Sequence, residues 1–244
     1  MELIELFRRG AESLSSARKP ESGRIVDSLR TSRVVGILGE AEVGKTAVVE
    51  QALAPRAAAD EVLRIDLDAV TGEHQLAFQM VRQVAVAYLG APAFSLLSVG
   101  VLVPASVESR RVELARVVGV DGLEEALRAW PSGTFRLDRG LRAVENFAAE
   151  RDTVLWVDHA EASSLTPRHP FNVDDLLWEL RAMLQQVGRL SLIISGRDEF
   201  EKELLGTRQA FYEQGRWLTL DNPAKATWLQ VGRASCRERV SKQV

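Results

Sequence analysis

Residues 39–46 read GEAEVGKT, two glycines separated by four residues and followed directly by Lys45 and Thr46. The segment stands between a compact apolar run, RVVGIL at 33–38, and a helical pattern that starts at Lys45. A G-x-x-x-x-G-K-[ST] turn between strand and helix has one well-understood physical use, the cradling of a phosphate chain. Backbone N–H groups of Gly39, Glu40, Ala41, Glu42, Val43 and Gly44 curl around the anion, and those of the helix start through Ala47 add the positive end of its dipole. Lys45 then reaches the β- and γ-phosphate oxygens, and the Thr46 hydroxyl ligates Mg²⁺. The side chains of Glu40 and Glu42 are expected to point to solvent, with only their N–H groups turned inward.

The rest of the chain repeats this alternation. Apolar strand patterns at 62–67, 154–157, 190–194 and 217–220 alternate with helical spacings at 73–89, 108–118, 123–130, 137–149 and 173–187. Upstream, residues 1–17 pattern as a helix, RKPESG breaks it, and a short helix runs through Ile25 and Leu29. Pro55 is expected to close the helix of the phosphate loop and Pro131 the one at 123–130. Parallel strands need helix-sized crossovers, so the expected fold is an α/β domain, a parallel sheet covered by helices on both faces. Ligands of such sheets sit at the carboxyl ends of the strands, which directs attention to residues just after 38, 157 and 194.

Composition narrows the function classes. The 31 basic and 34 acidic residues leave no chain-wide positive field for nucleic acid or an anionic membrane. A single cysteine, Cys236, excludes an internal disulfide framework, and His74, His159 and His169 lack metal-ligand spacing. The N-terminus has no apolar run of signal length, so a cytoplasmic location is expected. Residues 84–107 carry no charge, but Gly90, Pro92, Ser95, Ser98, Gly100 and Pro104 interrupt them, which favours a buried helix end plus an apolar loop or hairpin over a membrane span.

A phosphate loop needs a second anchor for magnesium, and the sequence VLWVD at 154–158 offers Asp158 at the tip of an apolar strand. Asp66, after VLRI, is the rival, on a strand whose Arg64 suits a more peripheral place. Many ATPases place a Glu directly after the metal-linked Asp to polarise water; here that position is His159. Glu161 is the nearest carboxylate, either polarising water or capping the next helix. Beyond the fourth strand, Ser195 and Arg197 would face the γ-phosphate if that strand lies between the first and third, with an ordinary glycine turn as the alternative.

Taken together, LGEAEVGKT, LWVDHAE and IISGRDEF, in that order, resemble the P-loop ATPases with an extra central strand, and within them the AAA+ and signal-transduction (STAND) group related to origin-recognition ATPases. Gly23-Arg24, Asp27 and Leu29 resemble a degraded G-R-E-x-E-L box ahead of the first strand. The resemblance implies a three-layer α/β/α P-loop NTPase with a five-stranded parallel sheet of order 5-1-4-3-2. It also implies ATP or ADP with Mg²⁺ as cofactors, Mg²⁺ held through Thr46 and Asp158, and Arg197 at the sensor position. Expected divisions are a helical segment at 1–30, the ATPase core at 31–221, and the start of a lid at 222–231. At 232–240 the sequence GRASCRERV matches the translation of a common sequencing adapter, so 232–244 are expected to be a non-native tail, a native basic helix end being the alternative.

The leading functional expectation is a nucleotide-dependent switch in a regulatory protein, hydrolysing ATP slowly. Its partner would be another protein or effector domains beyond this fragment, through which DNA could also be bound; no membrane role is expected. Competing classes are an active remodelling ATPase, which needs an arginine from a neighbour, a small-molecule kinase, and an adaptor whose nucleotide is purely structural.

Overall fold

The computed structural model describes residues 18–101, 103–163, 173–201, 210–211 and 214–221. The expected helix at 1–17, the lid start at 222–231 and the tail at 232–244 lie outside the described residues. Five strands, β1 (Val34–Gly39), β2 (Val62–Asp66), β3 (Thr153–Asp158), β4 (Leu190–Gly196) and β5 (Arg216–Leu220), form one sheet in the order β2-β3-β4-β1-β5. Every pairing is parallel, and the order is the one the resemblance implies.

Alternate residues of each strand feed two separate apolar layers, as the two-residue strand period requires. Val35, Ile37, Val154, Trp156 and Ile193 pack with Ile25 of α1 (Lys19–Thr31) and with Val48, Val49 and Leu53 of α2 (Lys45–Ala57). On the other face Leu38, Leu63, Ile65, Leu155, Val157 and Ile194 pack under the remaining helices. Those are α3 (Glu73–Leu89), α4 (Ala91–Ser98), α5 (Ala105–Val118), α6 (Val120–Leu127), α7 (Leu137–Glu150) and α8 (Val173–Gln186). Covered on both faces, β1 and β3 are buried along their whole length, which is why they read as unbroken apolar runs. Arg64 lies on β2, which is an edge strand, as its charge predicted.

Four local expectations need correction. Pro20 opens α1 instead of breaking the chain ahead of it, because a residue in the first helical turn has no partner for the missing N–H. Pro55 does not close α2: it removes only its own donor, and Ala58 N–H still reaches the Ala54 carbonyl at 3.1 Å. The uncharged stretch has its expected buried helix end at 84–89, but Gly90 takes φ 82° and a further helix, α4, follows at an angle of 119° to α3 where an apolar loop or hairpin was expected. Among the described residues no single helix is long and apolar enough to cross a membrane. Finally, α6 starts and ends three residues before its expected bounds, ending not at Pro131 but at Arg128, whose backbone is extended (φ −70°, ψ 152°).

Helix α7 lies directly on α3, and Gly140 allows the approach. A Cβ there would come within 2.8 Å of the Ala77 Cα, so no larger residue fits unless one of the helices shifts.

Candidate phosphate-binding site

The loop between β1 and α2 turns sharply, with Glu42 at φ 60° and Gly44 at φ 86°, both left-handed. Such turns aim successive N–H groups into one concavity. The first intrahelical bond is Val48 N–H to the Gly44 carbonyl at 3.1 Å, so the N–H groups of Lys45, Thr46 and Ala47 project from the helix start. Val43 is buried among α1, α2 and β5 and anchors the loop, whereas Glu40 and Glu42 are exposed as expected. Lys45 Nζ donates to the carbonyls of Gly39 and Glu40, both at 2.8 Å. Burial holds its pKa below the usual lysine value, helped by Arg197, while Glu161, Asp198 and Asp158 pull it back up.

A cleft of about 440 Å³ opens over this loop at the carboxyl ends of the strands. Ala41, Glu42, Gly44, Lys45 and Thr46 form one wall, and Asp68, His159, Glu161 and Arg197 the other. The sheet order explains the second wall: β4 lies beside β1 and β3 beside β4, so the residues that follow them converge on the loop.

Asp158 ends β3 with 1% of its surface exposed and accepts four hydrogen bonds from the described residues. Thr46 Oγ1 (3.1 Å) and Arg64 Nη2 (2.8 Å) donate to Oδ2, Ser195 Oγ (2.5 Å) and His159 N–H (3.1 Å) to Oδ1. The Thr46 hydroxyl spends its proton on Asp158, which leaves its oxygen lone pairs for a cation in the cleft. This donor set, a hydroxyl oxygen beside an acid, suits a hard divalent ion such as Mg²⁺. The rival Asp66 sits beside Asp158 in register, farther from the loop. Its Oδ1 lies 2.9 Å from His159 Nδ1 and accepts from Asp68 N–H, so it caps a turn and orients a ring.

Glu161 and Arg197, expected in separate roles, meet each other. Arg197 N–H donates to Glu161 Oε2 at 3.2 Å and its Nε lies 3.4 Å from Oε1. Ser195 does not face the cleft: it is fully buried, accepts from Trp156 Nε1 at 2.8 Å and donates to Asp158. Sequence reasoning overlooked Asp68 and assigned no partner to Arg64 or His159. His159 bends back at φ 54° to reach Asp66. Burial alone would lower its pKa, but the bond to Asp66 and the charges of Asp158, Asp66 and Glu161 outweigh it and raise the value above 6.5. The β2–β3 register, which sets Arg64 opposite Trp156 and Asp66 opposite Asp158, is the signal that would have found these pairs.

No family model matches the chain, and no curated protein sequence does. Among solved structures it is similar to the Walker-type ATPase PABY2304 of Pyrococcus abyssi, at TM-score 0.51 and 15% identity over 84% of this chain and 53% of that one. The chain has a P-loop NTPase fold. A second similar structure is the Aeropyrum pernix ORC1 protein in complex with DNA, at TM-score 0.49 and 15% identity over 83% of this chain and 44% of that one. The chain thus spans about half the length of these two proteins.

Proposed function

We propose that this P-loop domain binds ATP and ADP with Mg²⁺, hydrolyses ATP slowly, and serves as a nucleotide-dependent switch of the AAA+ and STAND type in a regulatory protein. The observation that carries the reading is the joining of the phosphate loop to the acid of β3, Thr46 Oγ1 to Asp158 Oδ2 at 3.1 Å. In this reading the loop N–H groups and Lys45 bind the phosphates, and Thr46, backed by Asp158, holds Mg²⁺. A Mg²⁺ ion held there would supply charge neutralisation for the phosphate oxygens.

Two features support slow turnover. Glu161 is tied to Arg197, so a carboxylate that would polarise water is already engaged. His159, at the position where many ATPases carry Glu, is held by Asp66. A third feature supports the switch: buried Arg18 donates to the carbonyl of Val43 in the loop (2.9 Å) and to that of Asp221 just past β5 (2.7 Å). A loop that reshapes around phosphate would thereby alter its hold on the chain leaving the sheet, through which protein partners or effector domains, DNA-binding ones included, would respond.

Calorimetry of Mg-ATP and Mg-ADP binding to wild type and Lys45→Ala, with phosphate release followed in the same samples, tests this. Binding lost in the variant, with turnover below about one per minute against the 1–100 per second of kinases, is the expected result. Tight binding with rapid release would replace the switch by an active ATPase. A folded wild type that binds neither nucleotide would refute the reading.

A further inference from the structure

We propose that Arg64 is a built-in counter-cation for Asp158, which keeps the metal site assembled when no divalent ion is present and weakens the site's hold on the ion when one is. The proposal rests on the nucleotide-site reading above. A carboxylate as buried as Asp158 is costly unless its charge is balanced. Three of its four donors, Thr46, Ser195 and the His159 amide, are neutral. Among the described residues Arg64 alone brings a full charge into hydrogen-bond distance, at 2.8 Å; His159 Nδ1 is 3.9 Å away and engaged by Asp66.

The guanidinium is also held in place. It lies 4.4 Å above the Trp156 ring, and Nη1 donates to Glu50 Oε1 at 2.8 Å. Trp156 in turn donates to Ser195, and Ser195 donates to Asp158. Arg64, Trp156, Ser195 and Asp158 therefore close a ring of contacts across β2, β3 and β4. A charge locked by stacking and two carboxylates does not swing away when a cation arrives, so a divalent ion meets an acid that is already neutralised. Coulomb repulsion between Arg64 and the ion then opposes binding. The functional consequence is a site that keeps its shape at low Mg²⁺.

The test uses the 244-residue chain saturated with ADP and titrated with MgCl₂, reading the Mg²⁺ concentration at half of the rise in Tm. Arg64→Gln is expected to lower this midpoint about tenfold and to melt earlier than wild type in EDTA, while Arg64→Lys keeps the wild-type midpoint within about twofold. Exposed Glu50, whose charge partly offsets Arg64, gives a variant that does not depend on a core change: Glu50→Gln should raise the midpoint about twofold. Opposite shifts from the two neutral variants are what a buttress without electrostatic action would not produce. An unchanged or raised midpoint in Arg64→Gln overturns the counter-cation and leaves the nucleotide site standing. If Arg64→Gln does not fold, an unchanged Glu50→Gln midpoint overturns it equally. A wild type that shows no ADP-dependent effect of Mg²⁺ overturns both readings.

Discussion

Asp158 is where most of the site's interactions end, so its removal should be felt in stability as well as in binding. Asp158→Ala strips the acceptor from the Thr46 and Ser195 hydroxyls and from Arg64 at once. Leaving such donors in a buried place costs about 2–4 kcal/mol, to be read from urea denaturation without nucleotide; a loss under about 0.5 kcal/mol would contradict the network. His159 gives a prediction with a sign. Its folded pKa is raised, so the folded state binds the proton more tightly and the charged ring stabilises the fold. That contribution is complete below the unfolded value of 6.5 and disappears as pH rises through the folded one. The protein in EDTA should therefore lose stability across neutral pH, modestly because the ring is partly exposed, and Asp66→Asn should flatten the profile. An identical slope in Asp66→Asn would show that other groups set it. At this scale the sequence was legible where a single segment carries the chemistry, as in residues 39–46. It was not legible where partners come from different strands: the bonds of Asp158 to Arg64 and Ser195 depend on a sheet register that no local pattern encodes.

Elements were read well where burial leaves a period. Helix α3 has its expected bounds because Leu76, Met80, Val84 and Tyr88 recur every four residues toward one core. Prolines misled for two reasons: Pro20 stands in the first turn of its helix, where N–H groups have no partner to lose, and Pro55 gives up one bond in the last turn, which Ala58 N–H still closes on the Ala54 carbonyl. The uncharged stretch 84–107 misled for another reason, since short apolar helices and apolar loops share a composition and only the turn at Gly90 separates α3 from α4. Two glycines within helices make opposite predictions. Gly140→Leu would drive a side chain into the Ala77 backbone and should cost about 1–3 kcal/mol or more. Gly23, exposed in α1 with open space around its Cβ position, should gain about 0.5–1 kcal/mol on change to Ala. Thermal melts of both variants decide the matter, and equal effects would mean that the α3–α7 contact is looser than its geometry.

For the molecule as a whole, the question is whether the site communicates with the chain that leaves the sheet at β5. Among the described residues, strand β5 is an edge strand joined in the sheet to β1, and Arg18 adds a second tie by gripping the carbonyls of Val43 and Asp221 together. Any ligand of the folded state stabilises globally exchanging amides by the same amount, about 2.7 kcal/mol at one hundred times its Kd. Protection that β5 gains beyond the gain of β3 therefore measures coupling and not mere stabilisation. Hydrogen exchange of the 244-residue chain with and without Mg-ADP should show such an excess at Leu218 and Leu220, because a loop ordered by phosphate fixes the Val43 carbonyl and, through Arg18, the end of β5. In Arg18→Ala the uniform protection should remain, since Arg18 does not line the cleft, and the excess should vanish. An excess that survives the substitution would mean that the backbone pairing of β1 with β5 alone carries the signal, and Arg18 would then be a fastening of the loop with no part in the switch.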